Sequence, residues 1–172
     1  RPARGAGLHE RRLPCAARLP GVALVCKDAR TVGLPYGAVS QMKRLILTRH
    51  AKSAWDDPMT PDHDRPLNDR GKAAAADLGQ WLASRDYVPE EVLCSDSLRT
   101  RKTFSGIAPA LPGAPVLELK PALYHAGPDV MMAVLKHAEA DTVMMIGHNP
   151  GIAEFAARLV AHPPHNLSLI HI

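Results

Sequence analysis

Lys43-Arg44-Leu45-Ile46-Leu47-Thr48-Arg49-His50 (KRLILTRH) decides the reading of the chain. Apolar and β-branched side chains follow one another here without alternation. That suits a strand buried on both faces, as in a parallel sheet covered by helices. The run ends abruptly on Arg49 and His50, so two polar side chains stand where a buried strand reaches its carboxyl end.

Working outward, Lys52 to Leu67 is polar and rich in Asp and Pro, a loop. Asn68 is a good N-cap, and Asp69 suits a first helical turn. Ala74, Leu78, Trp81 and Leu82 recur at helical spacing, which predicts a helix to about Ser84. Val92-Leu93-Cys94-Ser95 reads as a second strand. Ser97 to about Ala108 reads as a helix stopped by Pro109 and Pro112. Val116 to Leu119 reads as a third strand. Pro128 to His137 is helical, with Val130, Val134 and Leu135 on one side. Asp141 to Gly147 is a further buried strand, ending on His148-Asn149-Pro150-Gly151, and Ile152 to Val160 is the last helix. Strands alternating with helices predict an α/β fold, a three-layer α/β/α sandwich with a mostly parallel central sheet. Ligands of such sheets lie beyond the carboxyl ends of the strands. Arg49-His50, Ser95 to Arg99 and His148-Asn149 all follow strands directly.

The bulk properties are ordinary. The chain has 172 residues, 46% hydrophobic and 22% charged. No apolar run approaches the ~20 residues that cross a bilayer, so no membrane partner is expected. The net charge of +4 could suggest nucleic acid. Residues 1–41, however, hold seven Lys/Arg against two Asp/Glu, and residues 42–172 hold fourteen against fifteen. The basic excess belongs to the N-terminal segment, and nucleic-acid binding is not expected of the rest. Cys15, Cys26 and Cys94 form no CxxC pair or zinc spacing, so a reducing cytoplasm is the default. Cys94 reads as a buried small side chain. The nine His include His63, His125, His137, His162 and His165, which read most simply as surface residues.

Residues 1–41 are rich in Arg, Pro, Gly and Ala without a sustained period. Val22 to Cys26 is a short apolar run that periodicity does not assign. A native start at Met42 is expected, with 1–41 a non-native or disordered extension. The domain then spans 42–165, and 166–172 form a tail of truncated or artificial character. No repeat is present, and no motif sets an oligomeric state.

The chemistry follows from the residue types at the strand ends. Arg forks bind phosphate oxygens in a bidentate way and stay charged at any working pH. A neutral His can attack phosphorus and hold it covalently. A second His can donate hydrogen bonds to phosphoryl oxygens as charge shifts among them.

Leu-Thr-Arg-His-Ala-Lys-Ser (47–53) resembles the Arg-His signature of the histidine phosphatase superfamily. In the larger branch a Gly follows the His. Ala51 here is similar to the branch of SixA phosphohistidine phosphatases. Arg65-Pro66-Leu67-Asn68 with Arg70-Gly71 resembles the segment that opens the family's next helix. Ser95-Asp96-Ser97-Leu98-Arg99-Thr100 resembles its second-arginine motif, and Gly147-His148-Asn149-Pro150 its second-histidine motif. The resemblance runs from Met42 to Val160 and implies a phosphatase with no metal or organic cofactor. It implies His50 as nucleophile, with Arg49, Arg99 and His148 completing the phosphate pocket. Arg65 and Asn149 would be substrate contacts, although Arg65 could simply pair with Asp62 or Asp64. The short stretch from His50 to Arg99 leaves no room for the mutases' extra helical subdomain. An open site suited to a phosphorylated protein or a small phosphorylated substrate is expected. A mutase and a noncatalytic phosphoprotein-binding module on the same fold are the rival readings. The larger branch also carries a carboxylate acid after its third strand segment. The comparable Lys120 to Gly127 has none, Glu118 falls within a strand, and Asp56, Asp57 and Asp64 are alternatives. Trp55 is a candidate for the pocket mouth, Trp81 for the core.

Overall fold

The computed structural model describes residues 44–160 in full, and the backbone of residues 18–19, 22–23 and 25–28. Seven strands are present among them: β1 (Arg18–Leu19), β2 (Val22–Ala23), β3 (Val25–Asp28), β4 (Arg44–Arg49), β5 (Glu91–Cys94), β6 (Val116–Leu119) and β7 (Thr142–Gly147). The helices are α1 (Asp69–Ser84), α2 (Leu98–Ile107), α3 (Pro128–Leu135) and α4 (Gly151–Leu159).

The main sheet has the order β3-β4-β7-β5-β6. From β4 to β6 the neighbours are parallel, and β3 joins the far edge antiparallel to β4. The apolar run at Val22–Cys26 therefore contributes strands: β2 pairs with β1, and β3 extends the sheet. The 166–172 tail, His162 and His165 lie outside the described residues.

Continuous burial explains the unalternated sequences of β4, β5 and β7. Successive side chains point to opposite faces. Ile46, Val92, Cys94, Met144 and Ile146 meet Leu78 and Leu82 of α1 and Phe104 and Ile107 of α2. Leu45, Leu47, Leu93, Val143 and Met145 meet Met131 and Leu135 of α3 and Ile152 and Phe155 of α4. Helices thus cover both faces, and the sheet is the middle layer of three.

The elements match their expected spans closely, and the differences are local. The buried stripe of α1 runs through Ala75, Leu78, Gly79 and Leu82 rather than Ala74. The reason is close approach: a Cβ on Gly79 would lie 2.5 Å from the Ile107 carbonyl oxygen. Trp81 is only partly buried, tilted against Tyr87. In α3 the buried positions are Met131 and Leu135, and Val130 is 41% exposed. The Met chain reaches Gly147 and Gly151, where a branched Val would not. Asn68 caps α1 as expected, its Oδ1 accepting from the Gly71 N–H at 2.8 Å. The α-helix α2 ends at Ile107, ahead of Pro109 as expected, and passes into one 3-10 turn, Ala108–Ala110.

Candidate active site

Sheet register assembles the site. Arg49 lies opposite Gly147 across β4 and β7, and Cys94 lies opposite Ile146 across β5 and β7. The three strands end level. The His50 N–H donates to the Gly147 carbonyl at 3.0 Å, and the Ser95 N–H to the Ile146 carbonyl at 3.0 Å. His50, Ser95 and His148 are therefore delivered to one spot by three adjacent chain ends, and α2 starts from it carrying Arg99 on its inner face.

The ring bonds fix the tautomers. His50 Nδ1 lies 2.8 Å from the Ala51 carbonyl oxygen, which can only accept. Nδ1 carries the proton, and in the neutral ring Nε2 keeps its lone pair. His148 Nδ1 lies 3.3 Å from an Arg99 terminal nitrogen, which can only donate. Its Nε2–H accordingly donates to Ser95 Oγ at 3.0 Å. The two imidazole centroids are 5.2 Å apart. Burial, helped by the nearby Arg99 and Arg49 and opposed by the Ala51 bond, pushes the His50 pKa down to about 4. Burial first, then His50, Arg99 and His125, pushes His148 down to about 3. Both rings are neutral near pH 7, the form in which His50 can attack.

The arginines are held differently. Arg99 is 3% exposed. Its two terminal nitrogens donate to Asp62, one to the backbone carbonyl and one to Oδ2 at 2.9 Å. Burial lowers the pKa of Arg49, and its Nε has no hydrogen-bond partner among the described residues. The Arg65 guanidinium sits 3.5 Å from the centroid of the Trp55 ring and 3.6 Å from Asp62 Oδ1, with its Nε buried and unbonded. Trp55 is 69% exposed, so the pair forms a half-open rim. Asn149 has a buried Oδ1 without a partner. The unbonded Nε–H groups of Arg49 and Arg65 are buried donors that the protein does not satisfy, the kind an oxyanion pocket uses.

His50, Arg99 and His148 come together as the sequence implied, with Arg49 close enough to act on His50 and Arg65 linked through Asp62. The carboxylate at the site, however, is Asp62, not Asp56, Asp57 or Asp64. Asp57 bonds Met59 and Thr60, and Asp64 bonds His63. Asp62 sits in a 3-10 turn, Asp62–Asp64, and accepts from Tyr124 Oη at 2.7 Å and His125 Nε2 at 3.2 Å as well as from Arg99. The Tyr124 bond chiefly, then His125 and Arg99, holds its carboxyl well below the usual carboxylate range. His125 is not a plain surface residue, because its ring stacks on His148 at 5.0 Å. Sequence reasoning could have found Tyr124 and His125, which follow a fourth parallel strand as the other motifs follow theirs. Asp62 gave no such signal. Thr103 was also missed: it accepts from the Ala51 N–H at 2.9 Å and donates to the Arg99 carbonyl at 2.7 Å, tying the loop after His50 to α2.

Two histidines and two arginines thus gather at the carboxyl edge of a parallel sheet. The chain belongs to the histidine phosphatase superfamily (branch 1), whose family model matches residues 45–124. An uncharacterized chloroplastic protein of Arabidopsis thaliana is 38% identical over 133 residues, 71% of this chain and 61% of its own length. This chain therefore spans less than two thirds of that relative. A structure provisionally assigned as phosphohistidine phosphatase SixA from Agrobacterium tumefaciens is 33% identical, with a TM-score of 0.60 over 63% of this chain and 71% of its own. A protein histidine phosphatase SixA complexed with tungstate is 26% identical, with a TM-score of 0.59 over 70% and 80%. These likenesses show the α/β fold of that family. Among the described residues no helix is long and apolar enough to cross a membrane.

Proposed function

We propose that the protein is a metal-independent cytoplasmic phosphatase working through a phosphohistidine on His50, acting on phosphohistidine in proteins or on a small phosphoester. One observation carries the reading. The Nδ1–H of His50 is anchored on the Ala51 carbonyl, leaving Nε2 unprotonated beside His148 and the cationic pair Arg49 and Arg99.

The lone pair of Nε2 attacks phosphorus, and the leaving group departs with the P–O or P–N bonding pair. Water then attacks the phosphoenzyme and returns the lone pair to Nε2. Arg49, Arg99 and Arg65 supply the positive charge that the phosphoryl oxygens need. The Nε2–H of His148 completes the cradle when it switches from Ser95 Oγ to a phosphoryl oxygen, with Asn149 beside it as a further substrate contact. A SixA-like substrate, a phosphorylated protein, fits the half-open rim at Trp55 and Arg65.

The test is hydrolysis of a phosphohistidine peptide and an aryl phosphate with chelator present, wild type against His50→Ala. Wild-type turnover should survive chelator and should fall by at least about 10⁴-fold in the variant. Acid-labile label should be trapped on wild type alone. A folded wild type that binds phosphate but traps no label would favour the noncatalytic binding module. Transfer of label to a second substrate hydroxyl rather than to water would favour the mutase.

A further inference from the structure

Among the described residues the site has no carboxylic acid free to protonate a leaving group. Glu118 is engaged with Lys120 on the surface. Among the described residues Asp62 is the one carboxylate bonded to the cluster, and its three donors keep it ionised. His148 is buried, with both nitrogens engaged. Tyr124 commits its hydroxyl proton to Asp62.

His125 is different. Its side chain is 53% exposed, so it stands at the mouth of the pocket and not in its floor. Its ring is held on two sides: Nε2 faces Asp62 Oδ2 at 3.2 Å, and the ring lies nearly flat on His148, at an interplanar angle of 28°. Tyr124 meets it edge-on at 4.4 Å. His148 lies between it and His50, with neighbouring centroids at 5.0 and 5.2 Å. The backbone holds His125 in the left-handed region, φ 49°, which aims the side chain back over the site. A carboxylate on one ring nitrogen and a free second nitrogen is the arrangement of an oriented general acid–base histidine. The groups facing it are Asp62, His148, Tyr124 and, through Asp62, Arg99.

We propose that His125, oriented by Asp62, is the proton donor to the leaving group, and that it extends the enzyme's substrates to phosphate monoesters of ordinary alcohols. The proposal rests on phosphoryl transfer to His50. As Nε2 of His50 forms its bond to phosphorus, the P–O bond breaks and its electron pair goes to the ester oxygen. That oxygen takes the Nδ1 proton of the His125 imidazolium and leaves as the alcohol. In the second half, water attacks phosphorus, gives its proton back to His125, and releases His50 and orthophosphate. No other reactant is needed. A phosphoramidate with a protonated ring leaves without this help, so both substrate classes share one pocket.

The test compares kcat/KM for an alkyl phosphate and for 4-nitrophenyl phosphate in wild type and His125→Asn. Asn tolerates the left-handed backbone at this position. We expect the alkyl phosphate to lose about 10²- to 10⁴-fold and the nitrophenyl ester about threefold or less. An equal loss on both substrates, or no loss on either, overturns the proposal while a trapped phosphoenzyme leaves the His50 reading standing. A wild type that traps no phosphoenzyme removes both. A series of aryl phosphates on the wild type gives a check that needs no variant. A shallow dependence on leaving-group acidity is expected, and a steep one overturns the donor.

Discussion

Replacing Asp62 by Asn tests whether the free protein fills its own anion site with an internal carboxylate. In the structure Arg99 donates to both the carbonyl and the carboxylate of Asp62, the latter at 2.9 Å. A phosphate that takes the Arg99 fork must displace the carboxylate bond. A charge-assisted hydrogen bond contributes about 1.5–3 kcal/mol and a neutral one about 0.5–1.5. Exposure matters: the Asp62 side chain is 45% exposed while that of Arg99 is 4% exposed, so the lower end of the charged range applies. The Asn amide oxygen keeps the shape and still accepts, and the difference is about 1 kcal/mol. That alone is about fivefold in affinity. Loss of like-charge repulsion between Asp62 and the incoming phosphate adds in the same direction. Orthophosphate should therefore bind Asp62→Asn about five- to tenfold more tightly than wild type by calorimetric titration at pH 7. Free Asp62→Asn should melt at a lower temperature than wild type, since a buried guanidinium has lost its counter-ion, and saturating phosphate should close most of that gap. Unchanged or weaker phosphate binding by a folded variant would refute the competition and make Asp62 a helper of the bound state.

Two further outcomes follow from the same geometry. The His50 ring should titrate near pH 4 by NMR and not near 6.5, and His148 lower still. The unfolded chain takes those protons from about pH 6.5 downward while the fold refuses them, so stability is lost as pH falls from 6.5 toward 4. At pH 5 the loss is at most about 2 kcal/mol for each ring. His63, raised by Asp96 and Asp64, acts in the opposite sense, and Asp62 contributes only below about pH 4, the ordinary carboxylate range. Denaturant midpoints that rise from pH 7 to pH 5 would contradict the buried neutral pair. Separately, a Cβ on Gly71 would lie 2.2 Å from the Lys52 carbonyl oxygen, whereas one on Gly127 meets nothing within 4 Å. Gly71→Ala should cost about 1–3 kcal/mol and disturb the loop after His50, with Gly127→Ala close to neutral, as read from thermal melts and turnover.

Much of this protein was legible from local signals. Unalternated apolar runs marked β4, β5 and β7 because both faces of those strands are buried. Asn68 marked the start of α1 because a cap is satisfied within three residues. Arg49, Arg99, His50 and His148 were legible because each stands at, or one turn beyond, the end of a strand, and a parallel sheet gathers such ends. What the sequence could not carry were choices made between elements. Ala75 in place of Ala74, and Met131 in place of Val130, depend on how closely neighbouring backbones approach. The partner of Arg99 depends on a loop fold that brings Asp62 to a residue 37 positions away. His125 reads as a surface residue along the chain despite its position after β6, and its seat on His148 and Asp62 is set by the tertiary fold. Local pattern sets where strands and helices begin and end, because their hydrogen bonds and caps close within a few residues. The protonation states and pairings of the site belong to the tertiary structure, because they depend on burial and on charges delivered from separate strands.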